Sequence, residues 1–311
     1  MDAISCGAAL AQSYPTKPIR LIVPIAPGGG TDIIARLLAQ GLAERWGQSV
    51  VVDNHGGGGG VIGVSLVAKA PADGHTLLLG SSGHITFAPA LYRNLPYDTQ
   101  RDLTPVSLVA NQPSVLAEHP SLPVRTVKEL IGLARKNPGS LTYASGGSGG
   151  AAHLGTELLQ ITTGISLLHV PYKGTGPGMT ALLSGEVQVA IVGIATLLPH
   201  MTSGKVRALA VTGARRSQAA PALPTIGETG VTGYEFDVWY GLMSAAGTPR
   251  DVVSKTNAEL ARLMKMPALA DRFAAAGLEP LTSTPEEFAA IIKSEIPKWQ
   301  AVVKAAGLKA D

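Results

Sequence analysis

The chain has 311 residues, with 25 Lys+Arg against 22 Asp+Glu, a formal net charge of +3 and a hydrophobic fraction of 45%. That length suits two domains of ordinary size, the apolar content excludes disorder, and so small a positive surplus gives no argument for nucleic acid. The unusual feature is 37 glycines beside only 15% charged and 5% aromatic residues, and those glycines fall in clusters.

Residues 1–13 read as the remnant of a signal peptide. Small residues at Ala9 and Ala11 fit the A-x-A pattern of a cleavage site. Cleavage near Ala11 would remove Cys6, the one cysteine, and with it any disulfide, thiolate or sulfur metal ligand. The basic n-region is missing, which leaves a plain apolar N-terminus as the alternative. No window of about 18 apolar residues follows, so no membrane-spanning helix is expected.

From Tyr14 a repeated unit begins. Ile19 to Ile25 is a buried-strand pattern, Gly28-Gly29-Gly30 is a turn, and Thr31-Asp32 opens helical spacing over Ile33 to Trp46. Strand Ser49 to Val52 leads through Gly56 to Gly60 into a helix over about Ile62 to Lys69, and strand Thr76 to Leu79 ends in Gly80-Ser81-Ser82-Gly83. The connecting segment Leu103 to Leu116 precedes a helix over Val127 to Lys136. Then come strand Leu141 to Ala144, loop Ser145 to Gly150, helix Ala151 to Thr162, strand Leu167 to Val170, loop Pro171 to Gly178 and helix Met179 to Ser184. Strands Val187 to Val192 and Ala208 to Thr212 follow, with a Pro/Gly-rich connection at Ala219 to Gly233. A strand-like run, Glu235 to Ala245, and helices Arg250 to Met264 and Pro285 to Ala305 close the chain. Strand, glycine turn, helix implies an α/β protein with parallel strands. The two long connections predict a discontinuous first lobe, 14–113 plus 236–311, and a second lobe, 114–235, with the crossings as a hinge.

Glycine loops at the carboxyl ends of parallel strands free backbone N–H groups beside helix N-termini, where anions bind. Two loops also imitate enzymes. Gly58-x-Gly60-x-x-Gly63 matches a dinucleotide fingerprint, but the acidic residue expected about 20 positions on is absent. Gly146-Gly147-Ser148-Gly149-Gly150 matches the nucleophile elbow of serine hydrolases and makes Ser148 the alternative, catalytic reading. Its partners are poor: only His153, His169 and His200 follow, and the acids before His200 are Glu157 and Glu186. The other histidines offer no metal pair. His153 and His84 either donate to a bound anion or satisfy a neighbouring carbonyl. Asp32 is a helix cap or a cleft acid, and Trp239 is a cleft-lining candidate.

Several short motifs together resemble one family. They are Tyr14-Pro15, Pro18-Ile19, Leu21-Ile22-Val23-Pro24, Pro27-Gly28-Gly29-x-x-Asp32 with Ala35-Arg36, Asp53-Asn54, Ala70-x-x-Asp73-Gly74-x-Thr76-Leu77-Leu78 and Pro89-x-Leu91-Tyr92. Further on stand Tyr143-Ala144-Ser145-Gly146-x-Ser148-x-x-x-His153-Leu154, Val170-Pro171-Tyr172-Lys173-Gly174, Leu223-Pro224-Thr225, Trp239-x-Gly241 and Ala246-Gly247-Thr248-Pro249. From about Tyr14 to the C-terminus the chain is similar to the Bug/TctC family, periplasmic solute receptors of tripartite tricarboxylate transporters. The resemblance implies a two-lobed, flytrap-like fold of mixed sheets flanked by helices, closing on a small carboxylate or dicarboxylate, aliphatic or aromatic. It implies a monomer that meets membrane permease subunits, with no catalysis, cofactor, metal or nucleic acid.

Carried over by position, the ligand contacts are Ile25, Ala26, Gly28, Gly29, Gly30, Thr31 and Asp32, then Ser81, Ser82 and His84 in the first lobe. The second lobe supplies Ser145, Gly147, Ser148, Gly149 and His153, then Tyr172, Lys173 and Gly174, and Asp237 faces the cleft from the second crossing. Ile25 stands where the family commonly has Phe, which bears on ligand size. Gly56 and Gly58 replace a usual Pro and Ala, which suggests a looser loop.

Overall fold

A computed structural model describes residues 14–28 and 30–308. The signal-peptide reading, with Ala11 and Cys6, and the Gly29 contact lie outside the described residues. In chain order the first elements are β1 (Ile19–Val23), α1 (Gly30–Trp46), β2 (Val50–Asn54), α2 (Val61–Ala68), β3 (Thr76–Ser81), α3 (Ala88–Leu91), α4 (Thr99–Asp102) and β4 (Leu103–Gln112). A second group follows: β5 (Ser114–Glu118), α5 (Val127–Lys136), β6 (Thr142–Ser145), α6 (Ala151–Thr163), β7 (Leu168–Pro171), α7 (Thr175–Ser184), β8 (Val189–Gly193), α8 (Ile194–Thr202) and β9 (Arg207–Val211). The chain ends with β10 (Val238–Ala245), α9 (Arg250–Leu263), α10 (Pro267–Ala275), β11 (Glu279–Pro280) and α11 (Pro285–Ala305).

These strands form two mixed sheets flanked by helices. The first has the order β11-β4-β10-β3-β1-β2 and the second β7-β6-β8-β5-β9. Within the first, β1 is parallel to β2 and β3, while β10 runs antiparallel to β3 and β4. In the second, β6 is parallel to β7 and β8, and β5 runs antiparallel to β8 and β9. The parallel halves carry the strand–glycine–helix units; the antiparallel strands are the ones that join the sheets.

The chain passes between the sheets twice. The segment read as one connection, 103–116, is two strands in different sheets, β4 and β5, parted by Pro113. Proline carries no N–H to continue a ladder, so the break falls there. The return passage covers 212–237. The passages are tied together, because Thr212 N–H donates to Ser114 O at 2.9 Å and Phe236 N–H to Thr212 O at 2.9 Å.

Local chemistry explains the helices that the spacing predicted. α1 buries Ile34, Leu37, Leu38 and Leu42 at helical intervals. α5 and α11 each open on a capping box, Thr126 with Glu129 and Thr284 with Glu287. Helices α8 and α10 were not visible in the sequence: α8 begins directly on a strand-end glycine and carries Pro199 inside it. One apolar core unites the sheets. Phe87 and Leu91 from the first lobe and Trp299, Val302 and Val303 of α11 pack with Leu154 and Leu158 of α6 and with Phe236. Trp239, the cleft-lining candidate, is buried elsewhere, edge-on to Phe288, with its indole N–H donating to Glu295 at 3.0 Å.

Candidate functional site

In the second lobe, β6, β7 and β8 end side by side, and each delivers the chain to a helix. The loops after β6 and β7 are joined by Tyr172 N–H donating to Ser145 O and Gly174 N–H to Gly146 O, both at 3.0 Å. Beneath them lies a cavity of about 210 Å³ with no charged side chain in its wall. Its polar groups come from Gln112, Ser114, Ser145, Thr175 and Thr196, and its apolar wall includes Met179, Phe236 and Val238.

Helices α6, α7 and α8 all begin at this cavity, through Ala151 and Ala152, Thr175 and Thr196. Their N-caps are Gly150, Gly174 and Gly193, and none has a side-chain cap. A helix leaves its first N–H groups without intrahelical partners and carries a partial positive charge there. Away from the cavity, α5 and α11 satisfy the same groups with capping boxes. Ile194 N–H, the first of α8, is taken by Pro113 O at 2.9 Å; α6, α7 and the rest of the first turn of α8 start at this one volume without side-chain caps.

Behind the 145–150 loop lies a polar aromatic network. Gly149 N–H donates to His153 Nδ1 at 2.9 Å, so the His153 proton sits on Nε2, 3.7 Å from Glu157. The His153 ring stacks on His169 at 3.8 Å, and His169 Nε2 meets Ser145 Oγ at 2.7 Å. Tyr143 and Gln160 both donate to Glu157, at 2.7 and 2.6 Å. Burial holds both imidazoles neutral; it pushes His169 down to about 4, helped by neighbouring His153 and opposed by Glu157.

This network decides what several predicted contacts do. Ser145 Oγ is taken by His169 and by Gly147, accepting from its N–H at 3.2 Å and lying 3.0 Å from its carbonyl oxygen. Ser148 is exposed, and among the described residues its hydroxyl bonds to no histidine, so the nucleophile–base pair of the hydrolase reading does not form. Tyr172 turns its hydroxyl to Glu186 at 2.7 Å. Lys173 is exposed, and the Gly174 N–H is already committed to Gly146.

The first lobe presents an open groove of about 660 Å³, bounded by Ile25, Ala26, Asn54, His84 and the glycines of 56–60. Gly57 to Gly60 all have positive φ, from 55° to 113°, a run that side chains would resist. Asp32 is 3% exposed and accepts from Gly28 N–H at 2.9 Å, Arg36 Nε at 3.0 Å and Asn54 Nδ2 at 3.1 Å. Burial raises its pKa, but these bonds outweigh that and hold the carboxyl below its usual range. Its donors are all protein groups, so Asp32 braces the loop. Thr31 is buried beside it in the first turn of α1.

Ser81 donates its backbone N–H to His84 Nδ1 at 3.1 Å, with Ser81 Oγ also 2.9 Å from that nitrogen. The His84 proton therefore belongs on Nε2. Burial alone pushes this imidazole down to about 4, so it remains a neutral donor. Ser82 Oγ is buried without a hydrogen-bond partner among the described residues. Gly30 lies under Tyr240, whose hydroxyl a Cβ would meet at 3.1 Å.

Asp237 does not line the cavity. In the β4–β10 ladder Gln112 faces Val238 and Asn111 faces Trp239, so Asp237 lies on the face opposite the cavity-lining Val238. There it accepts from Asn111 Nδ2 at 3.4 Å. Burial pushes it up to about 6 against that hydrogen bond, with Glu235, Glu295 and Glu279 adding to the rise. Sequence reasoning missed Gln112, Ser114, Thr175, Thr196 and Phe236. Thr175 directly follows Tyr172-Lys173-Gly174, and Thr196 follows the strand-end Gly193, so the same grammar would have reached both.

A family model described as "Tripartite tricarboxylate transporter family receptor" matches residues 34–308. Among solved structures, Rpa4515 of R. palustris with adipate is 38% identical, covering 95% of this chain and 99% of its own, with a TM-score of 0.80. The periplasmic binding protein BugD is 37% identical over 96% of this chain and 100% of its own, TM-score 0.76. MatC of Rhodopseudomonas palustris with bound malate is 31% identical over 93% and 100%, TM-score 0.76. A two-sheet fold, open helix N-termini at one cavity and a family match across most of the chain agree: this protein belongs to the TctC (Bug) family of tripartite tricarboxylate transporter receptors and is a solute-binding protein, not an enzyme.

Proposed function

We propose that this receptor takes a small carboxylate or dicarboxylate between its lobes in the periplasm and delivers it to the permease subunits of a tripartite transporter. One observation carries the reading: α6, α7 and α8 start on uncapped glycines around a cavity without a charged side chain. Such a site favours a single anion held by neutral donors, each bond to a charged group being worth about 1.5–3 kcal/mol. Four or five such bonds, less the cost of ordering and closure, leave roughly −8 kcal/mol, or about micromolar affinity. The adipate and malate held by two relatives support the same ligand class.

In this proposal the lobes are 14–113 with 236–311 and 114–235, and the protein acts as a monomer after cleavage near Ala11. The 25–31, 81–84, 147–149 and 172–174 loops touch the ligand through groups not already paired within the protein, such as the Ser82 hydroxyl and His84 Nε2–H, while Asp32, Ser145, His153 and Asp237 hold those loops or the hinge. A thermal-shift panel of mono-, di- and tricarboxylates, aliphatic and aromatic, tests it. Ligand at about 100 times its dissociation constant should add roughly 2.7 kcal/mol and raise Tm by several degrees. A flat response across the panel would remove the reading.

A further inference from the structure

Gln112 is the last residue of β4, immediately before Pro113 carries the chain into the second lobe. Gln112 lines the second-lobe cavity, as does Gly193. The Tyr240 hydroxyl, on β10 of the first lobe and 5% exposed, lies 2.8 Å from Gln112 Oε1. A phenol held protonated by burial donates, and Oε1 accepts, so this contact fixes which way the amide faces. Nε2 is then turned to Gly193, where a Cβ would come within 2.9 Å of it. Among the described residues Nε2 donates to no protein acceptor. Two glycines make the arrangement possible: Gly193 leaves room for Nε2, and Gly30 leaves room for the Tyr240 hydroxyl.

We infer that Gln112 is a specificity-determining residue, presenting its amide N–H groups to an acceptor oxygen at the second end of the ligand, with Tyr240 as its positioning residue. The inference rests on the carboxylate reading above and adds the identity of the group that reads the far end. The open helix N-termini take one carboxylate. Gln112, on the strand that crosses between lobes, takes an oxygen of the other end. No acid stands in the cavity wall, so an ammonium end finds no partner there. A methyl end would leave the amide desolvated and unpaired, which a buried polar group resists. Dicarboxylates are therefore selected over monocarboxylates and amino acids of equal length.

The test is calorimetry on the mature full chain with matched saturated C4, C5 and C6 mono- and dicarboxylates. Wild type should bind the best dicarboxylate at least about 10-fold more tightly than its monocarboxylate partner. In Gln112→Leu that ratio should fall towards one, with monocarboxylate affinity kept within about 3-fold. Tyr240→Phe frees the amide without touching the ligand and should reduce the ratio with little change in Tm; it also decides the matter if Gln112→Leu does not fold. An unchanged ratio in folded Tyr240→Phe and Gln112→Leu, or a wild type that binds both acids of every pair equally, overturns the inference and leaves the carboxylate reading standing. Wild-type binding of none of the acids would overturn both.

Discussion

Replacing Asp32 by Asn tests the argument that this acid holds the first-lobe loop in shape. Asp32 is nearly fully buried and receives three donors, from Gly28, Arg36 and Asn54. An asparagine has the same shape but one acceptor oxygen, so its NH₂ must meet a donor on one side. The exposed Arg36, at 58%, contributes little because solvent screens it. With its oxygen kept towards Gly28 and Arg36, which share Asp32 Oδ2, the loss falls on the bond from Asn54 to Oδ1 and on the charge that strengthened the Gly28 bond, about 1–3 kcal/mol in all. For a chain of this size that is a Tm drop of a few degrees.

The effect has a pH signature. Asp32 titrates below its ordinary value of 3.8 in the folded state, so its stabilisation is present above that value and is lost as pH falls through the folded pKa. Urea titrations of wild type and Asp32→Asn should differ by the full amount at pH 7, and the difference should shrink as pH falls below 3.8. A difference under about 0.5 kcal/mol at pH 7, or one that does not shrink as pH falls below 3.8, would refute the assignment.

Two further outcomes follow from other buried contacts. Asp237 is buried and pushed up to about 6, so its ionised form costs stability above that pH, and Asn111 Oδ1 beside it lacks a donor. Asp237→Asn should therefore stabilise by about 1–3 kcal/mol at pH 8, with the gain fading as pH falls below about 6; thermal melts at pH 8 and 5 check this, and destabilisation at pH 8 would contradict it. Gly277 has φ +69° and would place a Cβ 2.0 Å from Ala195 of the other lobe. Gly277→Ala should force the lobes apart here, seen as a larger radius of gyration in X-ray scattering and weaker ligand binding, whereas an unchanged radius with full affinity would show the contact to be irrelevant.

The two lobes also touch each other away from the cavity. On one flank Leu91 of α3 reaches Gly149, and on the other Ser217 donates to Glu279 at 2.7 Å. Helix α11 contributes to the first-lobe core through Phe288 and Ile292 and to the joined core through Trp299, Val302 and Val303.

Much of the architecture was legible from local chemistry alone. Glycine after a parallel strand and a helical apolar stripe are signals that a few neighbouring residues complete, and α1, α6 and the 145–150 loop were read from them. The quoted motifs also carried the family, because their spacing spans the whole chain. What a residue's side chain faces was another matter. Asp237 and Gln112 lie near the same crossing between the sheets, yet only strand register places one behind the sheet and the other at the cavity. Ser145, His153 and Tyr172 were read as ligand contacts, but His169, Gly149 and Glu186, partners 4 to 24 positions away, have taken side-chain polar atoms of all three. Sequence alone determined where open backbone donors would cluster, because glycine and helix starts are local properties. Tertiary structure decided which donors remained free, because hydrogen-bond partners are allotted by contacts between segments far apart in the chain.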